Sequence, residues 1–178
     1  MREPEAFRFI GNLDSIGTLV SKVSKLADPD WLEYLDRKNT GGTASAYSDT
    51  IPLIYNPEQD IKLITHHKNY EEYAPFIDET VSVVAEKLSL SSVKQAIFAR
   101  LRAHSEIKPH KDSVGSIVKK THRIHLPVIT NEKCSFTVSK ESKNLKVGEI
   151  WIIDNVHKVH SVNNLGDTDR VHLIIDAI

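Results

Sequence analysis

The chain has one cysteine, few aromatic residues and no long apolar run, and these absences exclude whole classes of protein. With one cysteine among 178 residues an internal disulfide is impossible, and the composition is typical of a reducing compartment. No apolar run approaches the roughly 20 residues that a membrane-spanning helix requires. We therefore expect a protein with no membrane-spanning helix.

An excess of charge of one sign is also missing. Lys and Arg together number 23, Asp and Glu number 24, and the formal net charge is −1 at pH 7. This balance offers no electrostatic attraction to nucleic acid or to an anionic membrane, so neither is expected as a partner. We expect a small-molecule or peptide substrate instead, and no pattern indicates an oligomeric state.

The start of the chain and its single thiol suggest an intracellular protein. Residues Met1–Glu5 carry two acids and lead into no apolar segment of signal-peptide length, so a cytoplasmic location is expected. Cys134 is expected to be a buried packing residue.

The length of the chain and its residue pattern predict a single α+β domain over residues 1–178, with more strand than helix. Residues 1–90 are expected to form a helical part that supports the rest of the domain, with helices over Leu13–Val23 and Tyr70–Leu88. Asp14 or Asn12 is the expected cap of the first helix. A loop at Asn39–Thr43 and a strand at Thr50–Ile54 separate the two helices.

Residues 91–178 are expected to hold the functional site on short strands separated by turns. The predicted strands are Ile97–Ala103, Arg123–Ile129, Cys134–Val138, Leu145–Val147, Ile150–Asp154, His160–Asn163 and Arg170–Asp176. This spacing predicts a small barrel or jelly roll, with the N-terminal helices covering one sheet.

His110 and Asp112 are the leading candidates for a metal site. In an extended strand, residues two apart point the same way, so both side chains can reach one ion, and a distant His160 can complete the set. Two histidines and a carboxylate form the facial triad of non-haem Fe(II) oxygenases. A His-x-Asp pair arises by chance roughly 0.6 times at this composition, so the pair alone decides little.

Other histidines compete for a metal. A zinc hydrolase site built from His122, His125 and His157 is one alternative. His122 and His125 are three residues apart, so on a strand they face opposite sides, and we expect His122 and His157 to be solvated. His104 and Glu106 form a rival pair of histidine and acid.

Arg170 begins the last predicted strand, ten residues after His160. A guanidinium there can grip a carboxylate through two parallel hydrogen bonds, which a lysine cannot reproduce. A surface ion pair with Asp167 or Asp169 explains the residue equally well.

Five strings in the chain resemble one known family in their order. The strings are Pro109–Asp112, Thr121–Val128, Gly148–Asp154, His160–Asn164 and Arg170–Asp176. They resemble the aspartyl/asparaginyl β-hydroxylase family, which includes bacterial proline hydroxylases. The likeness spans about Thr50 to Asp176.

The resemblance implies a double-stranded β-helix, the cupin-like jelly roll, and a dioxygenase dependent on 2-oxoglutarate and Fe(II). Its iron ligands would be His110, Asp112 and His160, and Arg170 would bind the far carboxylate of 2-oxoglutarate. The implied reaction uses O2 to hydroxylate an unactivated C–H of an amino acid or residue of the Asp, Asn or Pro type. In the same reaction 2-oxoglutarate is converted to succinate and CO2.

Further residues carry weaker expectations. Arg123 and His125 match the family's Arg-x-His and would meet the other end of the cosubstrate, or the substrate. His172 shares the strand face of Arg170 and is either a substrate contact or a buried, hydrogen-bonded histidine. Ala99 stands where a serine of the family helps to hold the cosubstrate. This departure leaves open a non-catalytic cupin-like module that binds a metal or metabolite.

Overall fold

The structure is a computed structural model that describes residues 5–32, 48–55, 64–112 and 121–178. In chain order the elements are β1 Phe7–Asn12, α1 Ile16–Val23, α2 Asp28–Leu32, β2 Asp49–Tyr55, β3 Thr65–His66, α3 Tyr70–Ala85, β4 Val93–Leu101, β5 Ser105–His110, β6 His122–Ile129, β7 Cys134–Val138, β8 Glu141–Lys143, β9 Glu149–Ile153, β10 His160–Asn164 and β11 Arg170–Ala177. The loop predicted at Asn39–Thr43 lies outside the described residues.

The strands form two antiparallel sheets. The larger has the order β1-β9-β6-β11-β4-β2-β3, and the smaller has the order β5-β10-β7-β8. Strands distant in sequence are neighbours, since β11 lies between β4 and β6. This order agrees with the expected jelly roll, in which successive strands alternate between sheets.

The central strands of the large sheet are buried on both faces. On β11, Leu173 and Ile175 join a hydrophobic cluster that also contains Leu19 of α1 and Ile77 of α3. Because successive strand residues face opposite sides, the residues between them point away from the helices. One face of the sheet therefore packs on helices, and the other is free to carry the polar groups of a site.

A second hydrophobic cluster lies between the two sheets. It contains Phe7, Leu101, Ile107, Phe136, Val138, Leu145, Ile153 and Val162. Burying a side chain of this size contributes about 1.5–3 kcal/mol relative to exposure, so the cluster holds the small sheet against the large one.

The first predicted helix is confirmed, but its predicted cap is wrong. Ser15 is the N-cap of α1, and neither Asp14 nor Asn12 has that role. Glu79, on α3, accepts hydrogen bonds from the backbone N–H of Asp14 at 2.9 Å and of Ser15 at 3.1 Å, and from the Ser15 hydroxyl. The cap is therefore a tertiary contact, which a local sequence pattern does not reveal.

The N-terminal part contributes strands as well as the predicted helices. The helix predicted over Tyr70–Leu88 and the strand predicted over Thr50–Ile54 are confirmed as α3 and β2. However, β1 and β3 also join the large sheet. A register shift between Phe9 and Gly11 breaks the period of two in β1, which explains why it escaped prediction.

Most predicted C-terminal strands are confirmed within a few residues, but the strand at Leu145–Val147 is wrong. Leu145 is buried between the sheets, while the chain after it turns at Gly148, which has a positive φ of 85°. Cys134 is buried as predicted, with its Sγ 3.2 Å from Asn164 Oδ1. Among the described residues no helix is long and apolar enough to cross a membrane.

The contact of Glu79 with α1 predicts a stability change that depends on pH. Partial burial raises the pKa of Glu79, but the hydrogen bonds from Ser15 and Asp14 outweigh it and the net pKa is lowered. Its stabilisation is therefore present above the ordinary value of 4.5 and is lost as the pH falls through the lower folded value. We expect Glu79→Ala to lower the free energy of unfolding by about 1 kcal/mol near pH 7.

Urea unfolding at neutral pH and at about pH 3 measures this effect. Asp78→Ala is the control, because it removes an exposed carboxylate from the same helix. A Glu79→Ala deficit of equal size at both pH values would contradict the assignment.

Candidate metal centre

His110 and His160 are brought together by strand pairing. They are direct partners in the antiparallel pair of β5 and β10, and their ring centroids are 4.2 Å apart. Side chains of directly opposed residues project to the same side of a sheet. The pairing register therefore places both imidazoles on one face, fifty residues apart in sequence.

Asp112 lies beside the two histidines, but it is not on a strand as predicted. β5 ends at His110, so Asp112 lies beyond the strand, where its backbone N–H donates to Asn155 O at 3.0 Å. The expected continuous strand is wrong in this detail. The carboxylate is nevertheless close, with Oδ1 at 3.5 Å from His110 Nε2 and 3.6 Å from His160 Nε2.

The spacing and orientation of these three groups fit a metal ion. Their ligand atoms lie within 4.8 Å of one another, and within the described part of the chain this is the one such group of three. His110 Nδ1 donates to Lys108 O at 2.7 Å, and its buried Nε2, on the side of Asp112, has no hydrogen-bond partner in the structure. Burial lowers the pKa of His160 to about 4 despite the nearby Asp112, so this ring is neutral at neutral pH.

The rival histidines do not assemble in the described part of the chain. His157 is 70% exposed with its Nδ1 2.8 Å from Asp154 Oδ1, and His122 is also exposed, as predicted. His125 is buried, so the zinc hydrolase alternative lacks a common site. His104 is exposed and pairs with Asp167 at 2.9 Å, which removes the other rival pair.

Arg123 contacts the candidate metal ligand Asp112 instead of standing free. Its Nη1 donates to Asp112 Oδ2. On its other side, Nε and Nη2 donate to the two carboxylate oxygens of Asp176 at 2.8 and 2.7 Å. Burial opposes the charge of Arg123, but the two carboxylates prevail and raise its pKa.

Arg170 is buried and forms no ion pair with an acid of the described residues. Its Nη2 donates to His172 Nδ1 at 2.9 Å, and burial lowers the pKa of Arg170 to about 10. The surface ion pair considered for it is wrong, because Asp169 lies 3.6 Å from Arg100 and Asp167 pairs with surface residues. An enclosed guanidinium of this kind suits an anionic ligand.

His172 is buried and accepts a hydrogen bond from Arg170, and its contact with a substrate stays a prediction. Burial, followed by the charge of Arg170, lowers its pKa well below the usual value. His125 is also buried and neutral, and neither of its ring nitrogens has a hydrogen-bond partner in the structure. These nitrogens can therefore bond to a ligand.

The ring of Phe136 lies close to His160, a candidate metal ligand, and also to His125 and Arg170. Its ring lies 5.9 Å from the His160 ring, 5.3 Å from the His125 ring and 5.6 Å from Arg170 Cζ. A cavity beside it is lined by Thr130, Cys134, Ser135, Phe136, Lys143, Leu145, Arg170 and His172. The candidate metal ligands and the buried arginine therefore border one region between the sheets.

A sequence profile of the family described as Aspartyl/Asparaginyl beta-hydroxylase matches residues 43–178, which is most of the chain. The chain belongs to this family. The match includes all seven site residues expected from the sequence, from His110 to His172. The resemblance seen in the five strings is thereby confirmed.

Solved structures resemble this family member over nearly its whole length. A 2OG-Fe(II) oxygenase family oxidoreductase of Burkholderia pseudomallei is 9% identical, with a TM-score of 0.59 over 94% of this chain and 91% of that one. A viral collagen prolyl hydroxylase of Paramecium Bursaria Chlorella virus-1, solved as a 2OG complex, is 10% identical with a TM-score of 0.55 over 97% and 96%. A prolyl hydroxylase of Trichoplax adhaerens, solved with a hypoxia-inducible-factor peptide, is 10% identical with a TM-score of 0.60 over 97% and 83%. At these identities the likeness shows the fold, and the predicted double-stranded β-helix is confirmed.

Asp176 is the site residue that sequence reasoning missed. It is only 1% exposed and lies opposite Arg123 in the pairing of β11 with β6. The signal was its position, since Asp176 shares the strand face of Arg170 and His172. A carboxylate on a doubly buried strand needs a partner, and that requirement points to the neighbouring strand.

The triad geometry predicts which histidine matters for metal binding. We expect His160→Ala to abolish tight binding of Co(II), a spectroscopic substitute for ferrous iron, because one of three ligands is lost. Isothermal titration of purified protein measures this. His157→Ala is the matched control, being an exposed histidine on the same approach to β10, and should bind as wild type. Equal Co(II) affinity of His160→Ala and wild type would refute the triad.

Proposed function

We propose that this protein is a 2-oxoglutarate- and Fe(II)-dependent dioxygenase that hydroxylates an unactivated C–H of an amino acid or amino-acid residue. The supporting observation is the combination of a His-Asp-His group with a buried arginine that lacks an acidic partner among the described residues. The first suits a ferrous ion with open positions, and the second suits the far carboxylate of a dicarboxylic acid. Family membership supports the same assignment.

The charges of the inner face support a dianionic cosubstrate. Asp112 and Asp176 balance Arg123 and Arg170, and burial keeps His125 and His172 neutral. A ferrous ion adds two positive charges to this neutral set, and 2-oxoglutarate adds two negative charges. Because unbalanced charge is costly in a buried site, ion and cosubstrate favour each other's binding.

Each residue has a separate task in this proposal. His110, Asp112 and His160 hold the ion through one atom each, and their burial keeps bulk water from the oxidising centre. When bound, iron supplies the oxidative chemistry with O2 and 2-oxoglutarate. Arg170 anchors the far carboxylate through its remaining N–H groups, and His125 offers a neutral ring to the near end of the cosubstrate.

The substrate proposed is a small amino acid or an exposed residue of a peptide, of the Asp, Asn or Pro type. Similarity of the His160–Asn163 string to the proline hydroxylases favours a small amino acid. Two of the similar structures described above are prolyl hydroxylases. We place the activity in the cytoplasm and in one domain spanning residues 1–178.

A turnover assay tests the proposal. Protein with Fe(II), ascorbate and 2-oxoglutarate is incubated with a panel of amino acids and peptides, and succinate, CO2 and a one-oxygen mass increase are measured. Coupled formation of all three is expected with at least one substrate. Binding of metal and 2-oxoglutarate with no turnover would instead favour a binding module, an alternative motivated by Ala99, which lies opposite His172 in the sheet.

The arginine anchor predicts a kinetic effect confined to the cosubstrate. Arg170→Lys replaces a two-pronged contact by a single point charge, so we expect the KM for 2-oxoglutarate to rise about 10- to 100-fold, with a smaller change in kcat. Succinate release at varied 2-oxoglutarate concentration measures both. Arg102→Lys, at a half-exposed arginine that pairs with Asp49, is the control. An unchanged KM in Arg170→Lys would exclude this residue as the anchor.

A further inference from the structure

The two oxygens of Asp112 have different neighbours. Oδ1 faces Nε2 of both His110 and His160 at 3.5 and 3.6 Å. Oδ2 accepts the hydrogen bond from Arg123 Nη1. Because the guanidinium occupies Oδ2, only Oδ1 is oriented toward the position that a metal would take.

Arg123 is itself held in place by Asp176. Its Nε and Nη2 form two parallel bonds with the carboxylate of Asp176, at 2.8 and 2.7 Å, across the pairing of β6 and β11. Asp176 is 1% exposed, so water does not compete for these bonds. A two-pronged contact between a planar guanidinium and a carboxylate restricts rotation of both groups.

We propose that Asp176 is a positioning residue that acts through Arg123 to hold Asp112 as a single-oxygen metal ligand. This inference rests on the proposed function. A carboxylate free to turn can bind an ion through both oxygens and so occupy a position that the cosubstrate or O2 requires. With Oδ2 held by Arg123, that position stays open.

The charge of Asp176 has a second effect on the site. Arg123 is a buried cation within contact of a metal ligand, and on its own it would oppose the arrival of a divalent ion. Asp176 offsets that charge, so the set of Asp112, Arg123 and Asp176 carries one net negative charge. Loss of Asp176 should therefore weaken metal binding as well as disturb its geometry.

Cobalt binding measures both effects without requiring turnover. In Asp176→Asn we expect the Kd for Co(II) to rise about 10- to 100-fold, as is typical for partners of metal ligands, and the visible absorption of the bound Co(II) to change with its coordination. Asp49→Asn is the matched control, because Asp49 is also a buried aspartate bonded to arginines. Its loss should lower stability and leave Co(II) affinity and spectrum unchanged.

A double variant separates positioning from general damage. If Asp176 acts through Arg123, then Asp176→Asn should change the Co(II) Kd less than threefold when Arg123→Gln is already present. The proposal would be overturned if the fold-changes in Co(II) Kd of the two single variants multiplied in the double variant. It would also be overturned if folded Asp176→Asn bound Co(II) with wild-type affinity and spectrum.

Arg123→Lys tests the same contact if Asp176→Asn does not fold. A lysine cannot hold both carboxylates in the same geometry, so we expect weaker Co(II) binding and an altered spectrum. Wild-type values in this variant would overturn the inference. Absence of 2-oxoglutarate turnover in wild type would defeat the proposed function alone, because the cobalt measurements stand independently of it.

Discussion

The site depends on one constraint: ionisable side chains are buried on the inner face of the large sheet, and a buried charge must be balanced. Arg123 meets this constraint by lying between Asp112 and Asp176. Arg170 meets it only partly, through a hydrogen bond to His172. The difference separates a guanidinium that organises the protein from one that is available to a ligand.

Strand alternation makes this arrangement possible. In β11, Leu173 and Ile175 face the helices while Arg170, His172 and Asp176 face the small sheet. The helices therefore supply the hydrophobic stability that the polar face cannot supply. Covering one face of the sheet with helices frees the other to hold the site, which links the fold to the proposed chemistry.

Local sequence patterns predicted the elements whose side chains repeat with a regular period. They failed for features that depend on contacts between distant parts of the chain. The period of β11 and the apolar spacing of α3 are both visible in the sequence, and both elements are present. The cap of α1 was missed because its acceptor, Glu79, lies 64 residues from Ser15. β1 was missed because a register shift breaks its alternation.

The sequence by itself determined the candidate metal ligands and the family, because the chemical identity and order of His110, Asp112, His160 and Arg170 are fixed in the chain. Tertiary structure decided which partner each polar group takes. Whether Arg170 pairs with a surface acid or remains buried, and whether Arg123 meets a ligand or Asp112, depends on sheet register and burial. Those quantities arise from packing between distant strands, so no local pattern encodes them.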